Sequence, residues 1–252
     1  MKFIVTFTFC ALVSYTYAIH NGAAVEPNSI PYQVLLFVHR DGKISKCGGS
    51  LVKPDRILTA AHCLKDRDYV DVYVGAHHEH NTHEKSRQFR RVESSDLYPH
   101  PLWGHGKGYD VGIIKLSHPF KLNEYVGLVK LPYGLEDTSF VGEHALVSGW
   151  GEIDNAHDHV GALHAVTNPI ISNYHCAKEH IRIDDGNICM SGKEGRRTCG
   201  GDSGGPVVIK DDGQHIQIGI VSKGEESCGG VHPSIFTRVT YYLDDFITEN
   251  LE

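Results

Sequence analysis

The sequence predicts an all-β sandwich or barrel ending in one C-terminal helix. Three observations carry this. Short apolar or alternating runs recur along the chain, with Val, Ile and Leu dominating. Turn residues separate them, and the 27 glycines and 10 prolines follow no repeating period, which excludes collagen and solenoid arrays. Helical periodicity is clear only at the C-terminus. The chain of 252 residues is 40% hydrophobic and 22% charged, so it can bury a sizeable core and is not disordered. No low-complexity linker or second composition zone divides it, which favours one compact unit, with room for two packed barrels.

Residues 1–18 come first. Lys2 gives a positive start, Phe3 to Val13 is mostly apolar, and Thr16 and Ala18 are small residues where a cut is usual. The segment reads as a secretory signal peptide, because its apolar run falls short of the roughly 20 residues that span a bilayer. Residues 19–252 form the mature domain. Strands are expected at Tyr32–His39, Tyr69–Gly75, Gly112–Leu116, His144–Gly149, Pro206–Lys210 and Ile216–Ser222. Leu243, Phe246, Ile247 and Leu251 fall at spacings of three and four, with Thr240 as the expected N-cap.

The formal charge of −7 argues against a nucleic-acid partner. No stretch after residue 18 is long and apolar enough to suggest a membrane partner. Seven cysteines become six once Cys10 leaves with the signal: Cys47, Cys63, Cys176, Cys189, Cys199 and Cys228. In an oxidising compartment they suggest three disulfides, with fifteen possible pairings. Zinc binding is the competing use, but no pair has C-x-x-C spacing.

Three segments carry chemistry. In Gly200-Gly201-Asp202-Ser203-Gly204-Gly205-Pro206, a serine flanked by four glycines can sit on a sharp turn, with backbone N–H groups free to bind an oxyanion. Leu58-Thr59-Ala60-Ala61-His62-Cys63 places a histidine after a hydrophobic strand. Tyr109-Asp110-Val111-Gly112-Ile113-Ile114-Lys115-Leu116 places an acid before another. Each alone could be structural: a glycine loop, a packed histidine, a turn aspartate. Together they fit nucleophilic catalysis. Serine needs a base, histidine serves near neutral pH, and a buried acid fixes the imidazole tautomer.

With these motifs in this order, the sequence resembles the chymotrypsin/trypsin family of secreted serine proteases. The resemblance covers essentially all of Ile19 to Glu252. It includes Ile19-His20-Asn21-Gly22, Cys47-Gly48-Gly49-Ser50-Leu51, Ser148-Gly149-Trp150-Gly151 and Val221-Ser222. It implies two packed six-stranded antiparallel β-barrels with a C-terminal α-helix and the active site between them. It also implies Ser203 as nucleophile, His62 as general base then acid, and Asp110 as orienting acid. Gly201 and Ser203 N–H match the oxyanion hole, and Ser222 matches the serine that bonds the buried aspartate. The family disulfides map as Cys47–Cys63, Cys176–Cys189 and Cys199–Cys228. Implied partners are protein or peptide substrates and protein protease inhibitors. No cofactor is implied, and the protein is expected to be a secreted monomer.

Three departures from the family pattern stand out. Family zymogens are usually cut before an Ile whose freed amino group pairs with the aspartate before the catalytic serine, here Asp202. Here Ile19 directly follows Ala18, with no Arg or Lys before it, and His20 stands where Val is usual. Signal cleavage alone would therefore expose the Ile19 amino group. In the specificity pocket, Arg197 stands where trypsin-like members carry an acid, followed by Thr198. Gly224 and Ser234 match the pocket walls, and Lys223 replaces the usual Trp. A cation there should repel Lys and Arg side chains. Its counter-charge would be either an acidic substrate, favoured by Lys223, or Glu225 or Glu226, which would leave a shortened neutral pocket. Lastly, Ala76 stands at the first acidic position of the family's calcium loop, so calcium is not expected. His77, His78, His80 and His83 lie there beside Glu79 and Glu84; a solvated loop is favoured over a metal site, as for His157 and His159. No N-x-[ST] acceptor is present. Two rival functions remain: a catalytically inactive homologue acting as a binding or adaptor protein, and a histidine-rich metal-binding protein on this scaffold.

Overall fold

The computed structural model describes residues 19, 21–105, 108–152, 161–179, 183–223, 228 and 230–252. The signal segment, His20, His157, His159, Gly224, Glu225 and Glu226 lie outside the described residues. The strands in chain order are β1 (Ala23–Ala24), β2 (Gln33–Arg40), β3 (Lys43–Lys53), β4 (Arg56–Thr59), β5 (Tyr69–Val74), β6 (Gln88–Glu93), β7 (Leu97–Pro99) and β8 (Gly112–Lys115). They continue as β9 (His144–Gly149), β10 (His164–Ile171), β11 (Asn187–Met190), β12 (Pro206–Asp211), β13 (Gln214–Lys223) and β14 (Ser234–Arg238). Two single-turn helices interrupt them, α1 (Ala61–Leu64) and α2 (Asn173–Cys176).

All described pairings between these strands are antiparallel, and they form two sheets. In the C-terminal sheet β9, β10, β11, β14, β13 and β12 close a ring of six, because β12 and β10 both pair with β9. The two-residue β1 adds a seventh strand on the edge of β10. The N-terminal sheet runs β6-β5-β2-β3-β4-β8-β7. It curls until Arg90 of β6 donates to the carbonyls of His118 and Pro119, just past β8. Each barrel thus has the six strands expected plus one short strand.

The alternating apolar residues of each barrel point inward to separate cores. One holds Val34, Leu36, Leu51, Leu58, Val72 and Ile113. The other holds Val147, Ile188, Val207, Ile218 and Phe236. Buried polar pairs cross between the barrels: Ser148 Oγ donates to Gln33 Oε1 at 2.6 Å, and Ser50 Oγ to Gln217 Oε1 at 2.5 Å. Buried hydrogen bonds of this kind fix register across a seam that apolar packing alone would leave adaptable.

All six strands expected from the sequence are present, with ends shifted by at most two residues. The C-terminal helix needs correction in detail. A 3-10 turn at Thr240–Tyr242 passes into a wide π segment at Leu243–Thr248, and only α3 (Glu249–Leu251) is α-helical. Thr240 is not the cap: Val239 holds that position in helical backbone, and no side chain caps the turn. The apolar spacing was informative nonetheless, since Leu243, Phe246, Ile247 and Leu251 are all buried in the first barrel's core. Lys53 Nζ and Arg56 Nε bond the carbonyls of Leu251 and Asn250, placing cations at the helix's negative end.

Candidate active site

The seam gathers residues from five separate segments. β4 ends at Thr59 and the chain turns at once into α1, which aims His62 toward the second barrel. Asp110 lies just before β8 and is buried. Its backbone is set by Tyr109, a non-glycine residue at φ +60°, whose N–H bonds the Tyr242 hydroxyl at 2.9 Å.

Four hydrogen bonds fix Asp110. Oδ1 accepts from the backbone N–H of His62 at 3.0 Å. Oδ2 accepts from Ser222 Oγ at 2.6 Å and lies 2.8 Å from His62 Nδ1. Its carbonyl accepts from Thr237 Oγ1 at 2.8 Å. His62 belongs to one barrel, and Ser222 and Thr237 to the other, so the carboxylate joins the two. With Asp110 accepting at Nδ1, the proton sits on that nitrogen and Nε2 is left as a base. Thr237 was not singled out in the sequence; a threonine alternating on an apolar strand carries no signal of its own.

Ser203 sits in the glycine-rich turn before β12. Gly201 and Gly204 have φ of +93° and +81°, the left-handed region that glycine adopts without strain. A Cβ on Gly201 would also fall 2.7 Å from Lys46 Cε. The turn is tied to the first barrel: Gly48 N–H donates to the Ser203 carbonyl at 2.7 Å, and Cys63 Sγ lies 3.6 Å from the same oxygen. This brings Ser203 beside the residue that follows His62. Among the described residues the N–H groups of Gly201 and Ser203 make no backbone hydrogen bond, which leaves both as donors.

Asp202, between them, is completely buried. It accepts from Gly151 N–H at 2.8 Å and Cys199 N–H at 2.9 Å. Desolvation pushes its carboxyl up to about 6, and those two bonds oppose the shift. Ile19 is buried in the second barrel's core with Phe140, Val147 and Ile209.

On the pocket side Arg197, Thr198 and Ser234 are all buried, and Lys223 is exposed. Two of the three implied disulfides are formed, Cys47–Cys63 and Cys176–Cys189. The third, Cys199–Cys228, is not closed by the described residues. Both cysteines are buried, and Cys228 Sγ lies 3.9 Å from Glu152 Oε2. The histidine loop forms no metal cluster among the described residues. Elsewhere among the described residues, the one group with ligand spacing is Cys47, His62 and Cys63, and its two sulfurs are bonded to each other. The loop is organised from within: Glu84 accepts the N–H groups of His77 and His78, and Arg87 bonds the carbonyls of His78, Glu79 and Asn81.

Two antiparallel barrels whose polar seam gathers a serine, a histidine and a buried aspartate have the architecture of a serine protease. The chain belongs to the trypsin family, whose model matches residues 19–246. It is 36% identical to brachyurin of Leptuca pugilator over 227 residues, covering 89% of this chain and 95% of that protein. It is 37% identical to a chymotrypsin of Phaedon cochleariae, covering 89% and 79% of the two chains. The solved structure of HL collagenase superposes with a TM-score of 0.82 at 31% identity, covering 92% of this chain and 98% of that one. The chain is therefore a trypsin-like member of the serine proteases, hydrolases whose substrates are proteins.

Proposed function

We propose that this protein is a secreted endopeptidase that cuts by acyl-enzyme chemistry and is not trypsin-like in specificity. The observation that supports it most is the fixed Asp110: its bonds to His62 and Ser222 leave Nε2 of His62 as a base. Ser203 Oγ attacks the scissile carbonyl, and His62 takes its proton. Gly201 and Ser203 N–H hold the oxyanion. His62 then protonates the leaving amine, and water releases the acyl group by the same route. An intact His62, Asp110 and Ser203 argue against the inactive-homologue reading. Stoichiometric labelling by a serine-directed organophosphate, lost in Ser203→Ala, tests it; an unlabelled wild type would restore the adaptor reading.

Secretion rests on residues 1–18 and fits the two disulfides. The same setting favours closing Cys199–Cys228 as the third. Cleavage after Ala18 frees the Ile19 amino group to join Asp202 in the core, which the burial of both residues supports.

Specificity follows from Arg197, which keeps its charge at any working pH. Lys and Arg side chains would meet a like charge. Arg197 is only 1% exposed, so its guanidinium is buried in the protein rather than open to solvent. This favours a shortened, neutral pocket with an internal counter-charge over direct capture of an acidic side chain. Small or medium apolar residues before the cut are the fitting substrates, with Thr198 and Ser234 among the wall residues.

A further inference from the structure

Lys46, in β3 next to Cys47, is a long cation turned inward. Its side chain is 12% exposed, and that of its ion-pair partner Glu79 is 2% exposed. Lys46 Nζ lies 2.8 Å from Glu79 Oε2 and also donates to the carbonyl oxygen of Trp150. That carbonyl belongs to the peptide unit whose N–H, on Gly151, donates to Asp202 Oδ1. One peptide group is thus held at its oxygen by a buried cation and at its nitrogen by a buried carboxylate. The side chain of Lys46 also packs against Gly201, as the 2.7 Å approach of Cε to a Cβ built there shows.

Glu79 is held just as firmly. Its N–H bonds the Gly161 carbonyl at 2.6 Å, and its own carbonyl accepts both terminal nitrogens of Arg87 at 3.1 Å. The same loop binds the Trp150 indole, whose Nε1 donates to the His77 carbonyl at 3.0 Å. The histidine loop of the first barrel therefore grips Trp150 at its ring and, through Glu79 and Lys46, at its backbone.

We propose that Lys46, held by Glu79, is a positioning residue for the oxyanion hole. It fixes the Trp150–Gly151 peptide, and through it Asp202, whose neighbours Gly201 and Ser203 supply the two N–H donors. The inference rests on the serine-protease reading above. The positive charge of Lys46 also acts on Asp202 directly, favouring the carboxylate form that accepts from Gly151, while Glu152 opposes it.

The test uses the mature enzyme and three forms: wild type, Lys46→Met, and the double variant Lys46→Met with Glu79→Gln. The single variant leaves Glu79 buried without its cation, which is costly to stability; the double variant removes both charges and remains informative if the single variant fails to fold. Peptide kinetics and the rate of fluorophosphonate labelling at Ser203 are measured beside the unfolding midpoint. Misplacing an oxyanion donor costs about 10- to 1000-fold in kcat. The expected result is a kcat and labelling rate at least tenfold lower in both variants, with KM within threefold, and a midpoint that recovers in the double variant. Wild-type kcat in the double variant would overturn the proposal, because the pair would then serve only to neutralise its own burial. A wild type that neither labels nor cleaves would instead refute the serine-protease reading.

Discussion

The catalytic seam and the pocket rim differ in how they treat charge. At the seam Asp110 is buried, but its carboxylate has three hydrogen-bond partners drawn from both barrels, so its charge is compensated inside the protein. In the implied pocket Arg197 is buried where the resemblance gives trypsin-like members an acid, and Lys223 stands where it gives an aromatic. The seam carries the residues that the resemblance implies, and the pocket departs from them. Bond-making chemistry leaves no latitude in which atoms meet, whereas a pocket need only exclude and admit. Chemistry is accordingly the part of this molecule that homology carries over, and specificity must be read from its own side chains.

The largest expected effect lies at the seam. Ser203→Ala and His62→Ala should each lower kcat by about 10⁴-fold or more, and the double variant by no more than either alone, since the two act as one unit. Activity within tenfold of wild type in Ser203→Ala would break the assignment. At the rim, kcat/KM on matched peptides ending in Leu, Ala, Tyr, Glu or Arg before the cut should rank Arg last, by about 100-fold or more. A guanidinium forced into a shortened, neutral pocket loses its hydration with no carboxylate to receive it, and each 1.4 kcal/mol of that cost is tenfold. Arg as the best substrate would mean that Arg197 has no contact with the pocket; Glu as the best would restore direct capture of an acid.

A third expectation concerns Asp202, which lies between seam and rim. With the Ala18–Ile19 peptide uncut, its carboxyl titrates at about 6 against an ordinary 3.8. The folded state then binds the proton more tightly than the unfolded state. That contribution to stability is full below about pH 4 and is lost as pH rises through 6. An amino group freed at Ile19 would stabilise the carboxylate and remove the loss. Unfolding midpoints from pH 4 to 7, in the Ser203→Ala background, should fall by several degrees more in the uncut chain than in the cut one. Parallel curves would break the link between Ile19 and Asp202.

The same contrast explains what the sequence disclosed. Six strands were legible because short apolar or alternating runs such as Val34–Phe37 and Ile216–Val221 are bounded by turn residues. β3 was not, because Lys43, Lys46 and the pair Gly48-Gly49 mask its alternation. β10 was hidden by Pro169, a residue that argues against a strand interior. At the site, His62, Asp110, Ser203 and Ser222 stood out through local motifs. Thr237 and Lys46 did not, since each acts on a backbone carbonyl far away in sequence, and such partners leave no local pattern. Nor did the sequence disclose that Arg87 would bind the carbonyls of His78, Glu79 and Asn81.

The smallest expected effect separates the barrels most cleanly. Cys47–Cys63 and Cys176–Cys189 join residues 16 and 13 apart. Loop-closure entropy assigns each about 3 kcal/mol, so the two should be nearly equal in stability. They differ in what they touch. Cys63 follows His62 in α1, and its sulfur lies 3.6 Å from the Ser203 carbonyl. Cys176 and Cys189 pack with Ile235 in a small cluster of the second barrel, apart from the catalytic residues. Replacing Cys176 and Cys189 together by alanine should lower the unfolding midpoint and leave kcat within twofold. Replacing Cys47 and Cys63 should lower the midpoint by a similar amount and reduce kcat as well, by about tenfold, because a small misplacement of reacting groups is costly. Equal kcat in the two variants would show that Asp110 and the Gly48 bond hold His62 and Ser203 in register without the disulfide between them.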